Sequence, residues 1–165
     1  MKPLEPPDLH HLQAAQGWLE LGNLLEANEE LAKITPQLRG HPTVLALQWS
    51  LYAEAKKWEA CVDLAKALTN VAPDQAGGWV NLGNSLYYSG HTQEAYDCVK
   101  PLLDRFPKNS ILRYNLACYA CQLGDLQEAK SWLEMAFELN NSKKLKLAAL
   151  NDPDLEPLWK NIAEI

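Results

Sequence analysis

The sequence predicts an all-α protein built from helix pairs that repeat about every 34 residues and stack into a solenoid. Three observations predict it. The chain matches itself when shifted by one such period. Apolar residues recur at the three-and-four spacing of an amphipathic helix. Glycines and prolines fall at matching points between the apolar runs. Gly90-His91-Thr92-Gln93-Glu94-Ala95 aligns with Gly124-Asp125-Leu126-Gln127-Glu128-Ala129, and Gly22-Asn23-Leu24-Leu25-Glu26-Ala27 stands two periods before the first of these. The intervening string, Lys56-Lys57-Trp58-Glu59-Ala60-Cys61, keeps an aromatic and a small residue but has no glycine. The small residue recurs without a gap at Ala27, Cys61, Ala95 and Ala129. A period of this length marks a repeat architecture, in which one helix pair cannot bury both its faces and neighbours must stack.

In order along the chain, the repeats occupy residues 8–41, 42–75, 76–109 and 110–143, with a closing segment at 144–165, all read as one domain. The first repeat is the most divergent, with Gly22 at the end of its first helix. In the second, Trp49 stands where later repeats have Gly83 and Ala117, and Gln48 stands where they have Leu82 and Leu116. A bulky indole at a close-packed position is expected to open the helix spacing or tilt the repeat. In the third, Pro101 lies inside the second helix, where it removes a backbone hydrogen bond and should kink the helix. Pro73 and Pro107 end the second helices of their repeats. The fourth repeat's first helix carries Ile111, Leu112, Leu116, Ala117, Tyr119, Ala120 and Leu123 at helical spacing. Gly90 and Gly124 mark places where one helix stops and an antiparallel one begins, a turn that needs a left-handed residue. Residues 143–150 read as a short amphipathic helix, 151–154 as a turn, and 155–159 as the start of a capping piece that buries Leu158 and Trp159.

These positions resemble the tetratricopeptide-repeat (TPR) family. Its pattern is a Trp, then Leu-Gly, then an aromatic, then Gly-Asp/Asn-Tyr-x-Glu-Ala, with a Pro near the end. Residues 76–109 match it best, through Trp79, Leu82, Gly83, Gly90, Ala95 and Pro107; residues 110–143 follow with Leu116, Ala117, Gly124, Ala129 and Ala136. The resemblance covers about 135 of the 165 residues. It implies a right-handed superhelix whose concave side is lined by the first helix of each repeat, and a role in protein–protein interaction. The Asp152-Pro153-Asp154-Leu155-Glu156-Pro157-Leu158 tail is similar to tails of bacterial TPR proteins and suggests a bacterial source.

Composition narrows the function. The formal net charge is -6, so the chain gains nothing from counterion release on nucleic acid, and no basic run suggests a membrane surface. No stretch approaches the ~18 apolar residues that span a bilayer. The N-terminus has no apolar run behind Lys2 and is read as carrying no secretory signal. Four cysteines in a chain of this length do not form a disulfide scaffold, so reduced thiols and a cytoplasmic location are expected. No phosphate-binding glycine loop, nucleophile elbow or His-Glu-x-x-His helix is present, so no enzymatic activity, cofactor or metal is expected.

Several constellations are candidate binding sites. Asn81 and Asn115 lie one period apart, each just before the Leu-small pair; Gln13 holds the position in the first repeat and Leu47 interrupts it in the second. In some long TPR proteins asparagines here grip the backbone of an extended peptide, and a carboxamide can both donate to and accept from a peptide unit. Equally, asparagine can serve there as a soluble surface residue. Asn84 with Asn115 has the spacing of the family's carboxylate clamp. However, the clamp's cationic positions hold Val80, Leu145 and Ala149, so an acidic tail is not the expected ligand. Tyr88, Tyr114 and Gln122 complete a neutral polar-aromatic groove, with at least one of Tyr87 and Tyr88 turned to the core. Cys118-Tyr119-Ala120-Cys121 falls mid-helix, without the helix-start position of redox motifs or further zinc ligands, and reads as packing. The six tryptophans read as repeat-core or cap residues. The expected function is a non-enzymatic module that takes an extended peptide or partner helix on Asn81, Asn84, Tyr88, Tyr114, Asn115 and Gln122 of repeats three and four. The alternatives are a secretion-type chaperone for one substrate protein and a self-assembling scaffold such as a homodimer.

Overall fold

Helix ends in this chain are set by a short list of local devices, and they recur with the period of the sequence. The structure is a computed structural model describing residues 3–140 and 142–164, the side chains of 163 and 164 excepted. Eleven α-helices run in order among the described residues: α1 (Asp8–Glu20), α2 (Leu24–Lys33), α3 (Pro42–Glu54), α4 (Trp58–Val71), α5 (Ala76–Tyr88), α6 (Thr92–Val99), α7 (Leu102–Arg105), α8 (Ser110–Gln122), α9 (Leu126–Leu139), α10 (Lys143–Leu150) and α11 (Trp159–Glu164). Two 3-10 helices, Pro36–Leu38 and Pro153–Leu158, complete them. No strand occurs among the described residues.

The turns between paired helices are the same object four times. Gly22, Gly90 and Gly124 take positive φ of 75°, 89° and 88°. At each, two backbone bonds close the helix end: Gly22 N–H to Leu19 and Asn23 N–H to Trp18, Gly90 to Tyr87 and His91 to Leu86, Gly124 to Cys121 and Asp125 to Ala120. This is the Schellman arrangement, which satisfies carbonyls left over at the helix end. The second repeat builds it without glycine. Lys56 takes φ 55°, and Lys56 and Lys57 donate to Ala53 and Tyr52 in the same pattern. A side chain in the left-handed region costs about 1–2 kcal/mol, offset in part by the entropy glycine loses on folding. Lys56→Gly is therefore expected to stabilise the protein by about 1 kcal/mol, read as a higher urea midpoint with an unchanged slope.

Side chains cap the starts. Asn23 accepts from Glu26 N–H at 3.2 Å, Asp125 from Glu128 N–H at 2.9 Å, and Asn109 from Ile111 and Leu112 N–H. Each satisfies donors that the first helical turn leaves open. Pro101 breaks the second helix of its pair into α6 and α7, as the missing N–H requires.

The chain divides into two compact units, Met1–Ser85 and Leu86–Ile165. In the first, Ala15, Ala27, Leu31, Ile34, Val44 and Leu51 form the buried core. Asp8 is buried there too, and accepts from Thr35 N–H at 2.6 Å and from its hydroxyl at 3.1 Å, tying the start of α1 to the end of α2. Trp49 is accommodated by a polar contact: its indole N–H donates to the buried Ser85 hydroxyl at 2.8 Å, which donates to the Asn81 carbonyl at 2.6 Å. In the second compact unit, Leu112, Leu116, Ala117, Tyr119, Ala129, Leu133 and Ala136 are all within 1% of complete burial. Leu155, Leu158 and Ile162 of the closing segment are buried as well, while Trp159 is half-buried and donates its indole N–H to the Asp152 carbonyl at 3.1 Å. Among the tryptophans Trp18 departs from the core reading, at 37% exposure.

Candidate functional site

A helix of 3.6 residues per turn that buries one face on its partner leaves another face for ligand. The periodic register identifies that face. Gln16, Ser50, Asn84 and Cys118 share one repeat position; Thr43, Gly77 and Ile111 share a second; Ala46, Val80 and Tyr114 share a third. These positions lie on the first helix of each pair, α1, α3, α5 and α8.

In the first compact unit this face is hollow. One open depression of ≈ 470 Å³ is lined by Thr43, Ala46, Gln75, Gly77, Gly78 and Asn81, with His41, Pro42, Leu68 and Pro3 at its edges. A second of ≈ 420 Å³ is lined by Gln16, Leu19, Glu20, Leu47 and Ser50. The two share Thr43 and Ala46, so they adjoin. Small residues make the room. A Cβ at Gly77 would meet nothing within 4 Å, whereas one at Gly78 would come 3.1 Å from Leu68 Cγ. Gly78 thus lets α5 approach α4, and Gly77 leaves the hollow open. The lining chemistry is carboxamides, hydroxyls and short apolar side chains, with Glu20 the charged group.

In the second compact unit the corresponding face of α8 is covered. The closing segment lies across it. The Tyr114 hydroxyl donates to the Asp152 carboxylate at 2.8 Å, and the Cys118 thiol approaches the same oxygen at 3.8 Å. The Gln122 amide donates to the Asp154 carbonyl at 2.9 Å. The Tyr87 hydroxyl hydrogen-bonds the Asp154 carboxylate. Asp152 also holds the segment's own shape, its other oxygen accepting from Asp154 N–H at 3.0 Å. Burial, then the neighbouring Asp152 charge, holds the Asp154 carboxyl above its usual range, against the opposing effect of the Tyr87 bond. Burial likewise pushes the Tyr114 hydroxyl and the Cys118 thiol up, the latter well above the ordinary thiol range, with the two aspartates adding to it.

The six residues expected to bind are therefore placed differently. Asn81 lines an open hollow of the first compact unit, and Asn84 is half-buried in the same unit. Tyr88 is 53% exposed and meets the half-buried Tyr87 edge-on at 5.1 Å between ring centres; Tyr87 packs in turn on Tyr119 at 5.0 Å. Asn115 is half-buried and hydrogen-bonds the Tyr119 hydroxyl. Tyr114 and Gln122 are engaged by residues 152–154. The sequence expectation places the groove over repeats three and four. On α8 the chain's own tail engages Tyr114 and Gln122, because Asp152 and Asp154 supply the acceptors for their donors.

Gln16, Thr43, Ser50, Gln75 and Gly77 are the residues that sequence reasoning missed. The signal was present, since Gln16 and Ser50 share the register of Asn84. Cys61, Cys98, Cys118 and Cys121 are free thiols, and among the described residues no cluster of His, Cys, Asp and Glu is placed to hold a metal ion. Among the described residues no helix is long and apolar enough to cross a membrane.

No family model and no curated protein matches the chain. Solved structures do. The chain is similar to TTC0263, a thermophilic TPR protein of Thermus thermophilus, at 15% identity and a TM-score of 0.75, covering 94% of this chain and 82% of that one. It is similar to MamA from MSR-1 at 21% identity and TM-score 0.67, covering 79% and 75%. MamA from RS-1, in a double-mutant form, gives 15% identity and TM-score 0.71, covering 85% and 79%. Together these show that the chain has the tetratricopeptide-repeat fold.

Proposed function

Starting from the tetratricopeptide-repeat fold, we propose that this chain is a non-enzymatic protein–protein interaction module. It takes an extended peptide or a partner helix on the first-helix faces of its repeats. The observation that carries this reading is the pair of adjoining hollows along α1, α3 and α5, lined by neutral donors and acceptors and floored by small residues. Asn81 pairs with partner backbone through its carboxamide, and Asn115 holds the equivalent place on α8. Gln16, Ser50 and Gln75 extend the polar lining. Asn84 supplies partner side-chain contacts in the first compact unit. Backbone pairing tolerates many sequences, so single-site affinity is about 10 µM.

Thiol catalysis is a poor alternative on chemical grounds. Cys118 is buried mid-helix, where burial pushes its thiol well above the ordinary range, whereas a nucleophilic cysteine is an exposed thiolate.

Photo-crosslinking in a native lysate tests the reading. A benzophenone amino acid at Thr43, which both hollows share, is expected to capture partner protein. The same group at Glu59, exposed on α4, is expected to capture none of it. Crosslinks from position 59 with none from position 43 would place the interaction on the second helices and overturn the proposal.

A further inference from the structure

Four neutral donors converge on the segment that covers α8. Tyr114 and Cys118 face the Asp152 carboxylate, Gln122 the Asp154 carbonyl and Tyr87 the Asp154 carboxylate. Leu155 then enters a fully buried slot, at 0% exposure. Hydrogen bonds to an ionised acceptor are stronger than neutral pairs, so neutral donors can hold an aspartate here by geometry. Two further contacts, Asp152 to Asp154 N–H and Trp159 to the Asp152 carbonyl, lie within the segment itself. The segment thus arrives preorganised, and the face reads its shape and its acceptors.

We infer that the α8 face is a second recognition site, occupied in cis by Asp152-Pro153-Asp154-Leu155, which accepts in exchange a partner segment of the same aspartate-proline-aspartate-leucine chemistry. This rests on the proposed reading that first-helix faces of this chain bind peptide. The cis segment is tethered through α10, which gives it an effective concentration of about millimolar. A trans segment therefore competes weakly until the cis contacts are loosened. The tail is then both cap and competitor: it keeps α8 dry when no partner is present and sets a threshold that a partner must exceed. The inward face beneath it carries Cys118 and Cys121, at 6% and 5% exposure, so its opening can be read chemically.

The experiment is native-state thiol labelling of the full chain, with Cys61, 0% exposed in the other compact unit, as internal reference. Asp152→Ala removes the acceptor for Tyr114 and Cys118. It is expected to raise the labelling rate of Cys118 and Cys121 about tenfold or more, with Cys61 unchanged. Adding a peptide with the sequence of residues 151–159, Asn-Asp-Pro-Asp-Leu-Glu-Pro-Leu-Trp, is expected to restore protection; the same peptide with alanine for both aspartates is not. If Asp152→Ala fails to fold, Tyr114→Phe removes the hydroxyl and keeps the ring, and the same pattern is expected at smaller amplitude. A parallel rise at Cys61 means that the segment belongs to the global fold, and absence of peptide protection means that the site does not exchange; either result overturns the inference. Both readouts concern α8 alone, so failure of the hollows in the first compact unit to bind a partner shows separately, as a loss of the position 43 crosslink.

Discussion

Ala129→Leu is expected to destabilise the second compact unit by about 3 kcal/mol, seen in urea unfolding as a lowered midpoint. Ala129 is 0% exposed, one turn into α9 where that helix packs on α8. Its register-mates are Ala27, Cys61 and Ala95, exposed at 1%, 0% and 0%. Close helix approach leaves no room for a γ-carbon branch at this point, and interiors are packed too densely to make room without moving backbone. Leucine adds three carbons, so either its χ angles leave their staggered wells or α9 shifts away from α8, on which it packs. The second outcome also disturbs Glu128, which is bonded to Tyr96 and lies 3.1 Å from the Lys100 ammonium. Those bonds, the Tyr96 one foremost, hold the Glu128 carboxyl below its usual range. By contrast, Ala129→Ser changes volume little and costs about 1 kcal/mol. A leucine variant with an unchanged midpoint would show that the recurring small residue is not a packing requirement.

The helix pairs are legible in the sequence because their signals are local. The φ of Gly22, Gly90 and Gly124, the Asn109 cap and the break at Pro101 all follow from the residue itself and its near neighbours. Lys56 shows the limit of that reasoning. The string there has no glycine, yet the backbone keeps the same geometry, with Lys56 at φ 55° and the same two closing bonds. Trp49 shows another. Its size is evident, but the partner of its indole N–H, Ser85, is 36 residues away in sequence, and no local pattern announces such a pair.

The site is legible by register and not by occupancy. Asn81, Asn84, Tyr114, Asn115 and Gln122 fall on first helices because the period places them there. Whether such a face is open depends on what the chain does next. Asn151-Asp152-Pro153-Asp154 is readable as a turn, since proline and aspartate favour one. That the turn docks on Tyr114 and Gln122, a full repeat back along the chain, is a tertiary fact. Conversely, the hollows of the first compact unit arise from what is missing: Ala46 and Gly77 have little or no side chain where Tyr114 and Ile111 stand on α8.

Gly77 offers the most direct handle on whether those hollows bind a partner. It lies in the first turn of α5, where glycine is a poor helix former, and a Cβ there meets nothing within 4 Å. Gly77→Leu is therefore expected to keep or raise stability, by up to about 1 kcal/mol, while its side chain fills the space between Thr43 and Asn81. Binding and stability should thus move in opposite directions, which separates a blocked site from a damaged fold. The decisive measurement is quantitative affinity capture from a native lysate with wild type, Gly77→Leu and the outer-face variant Glu59→Lys, each first shown to unfold cooperatively. Proteins retained by wild type and Glu59→Lys but depleted about tenfold or more on Gly77→Leu, equal to about 1.4 kcal/mol of binding, are the predicted result. Equal capture by Gly77→Leu and wild type would contradict the assignment of the first-helix face as the binding surface.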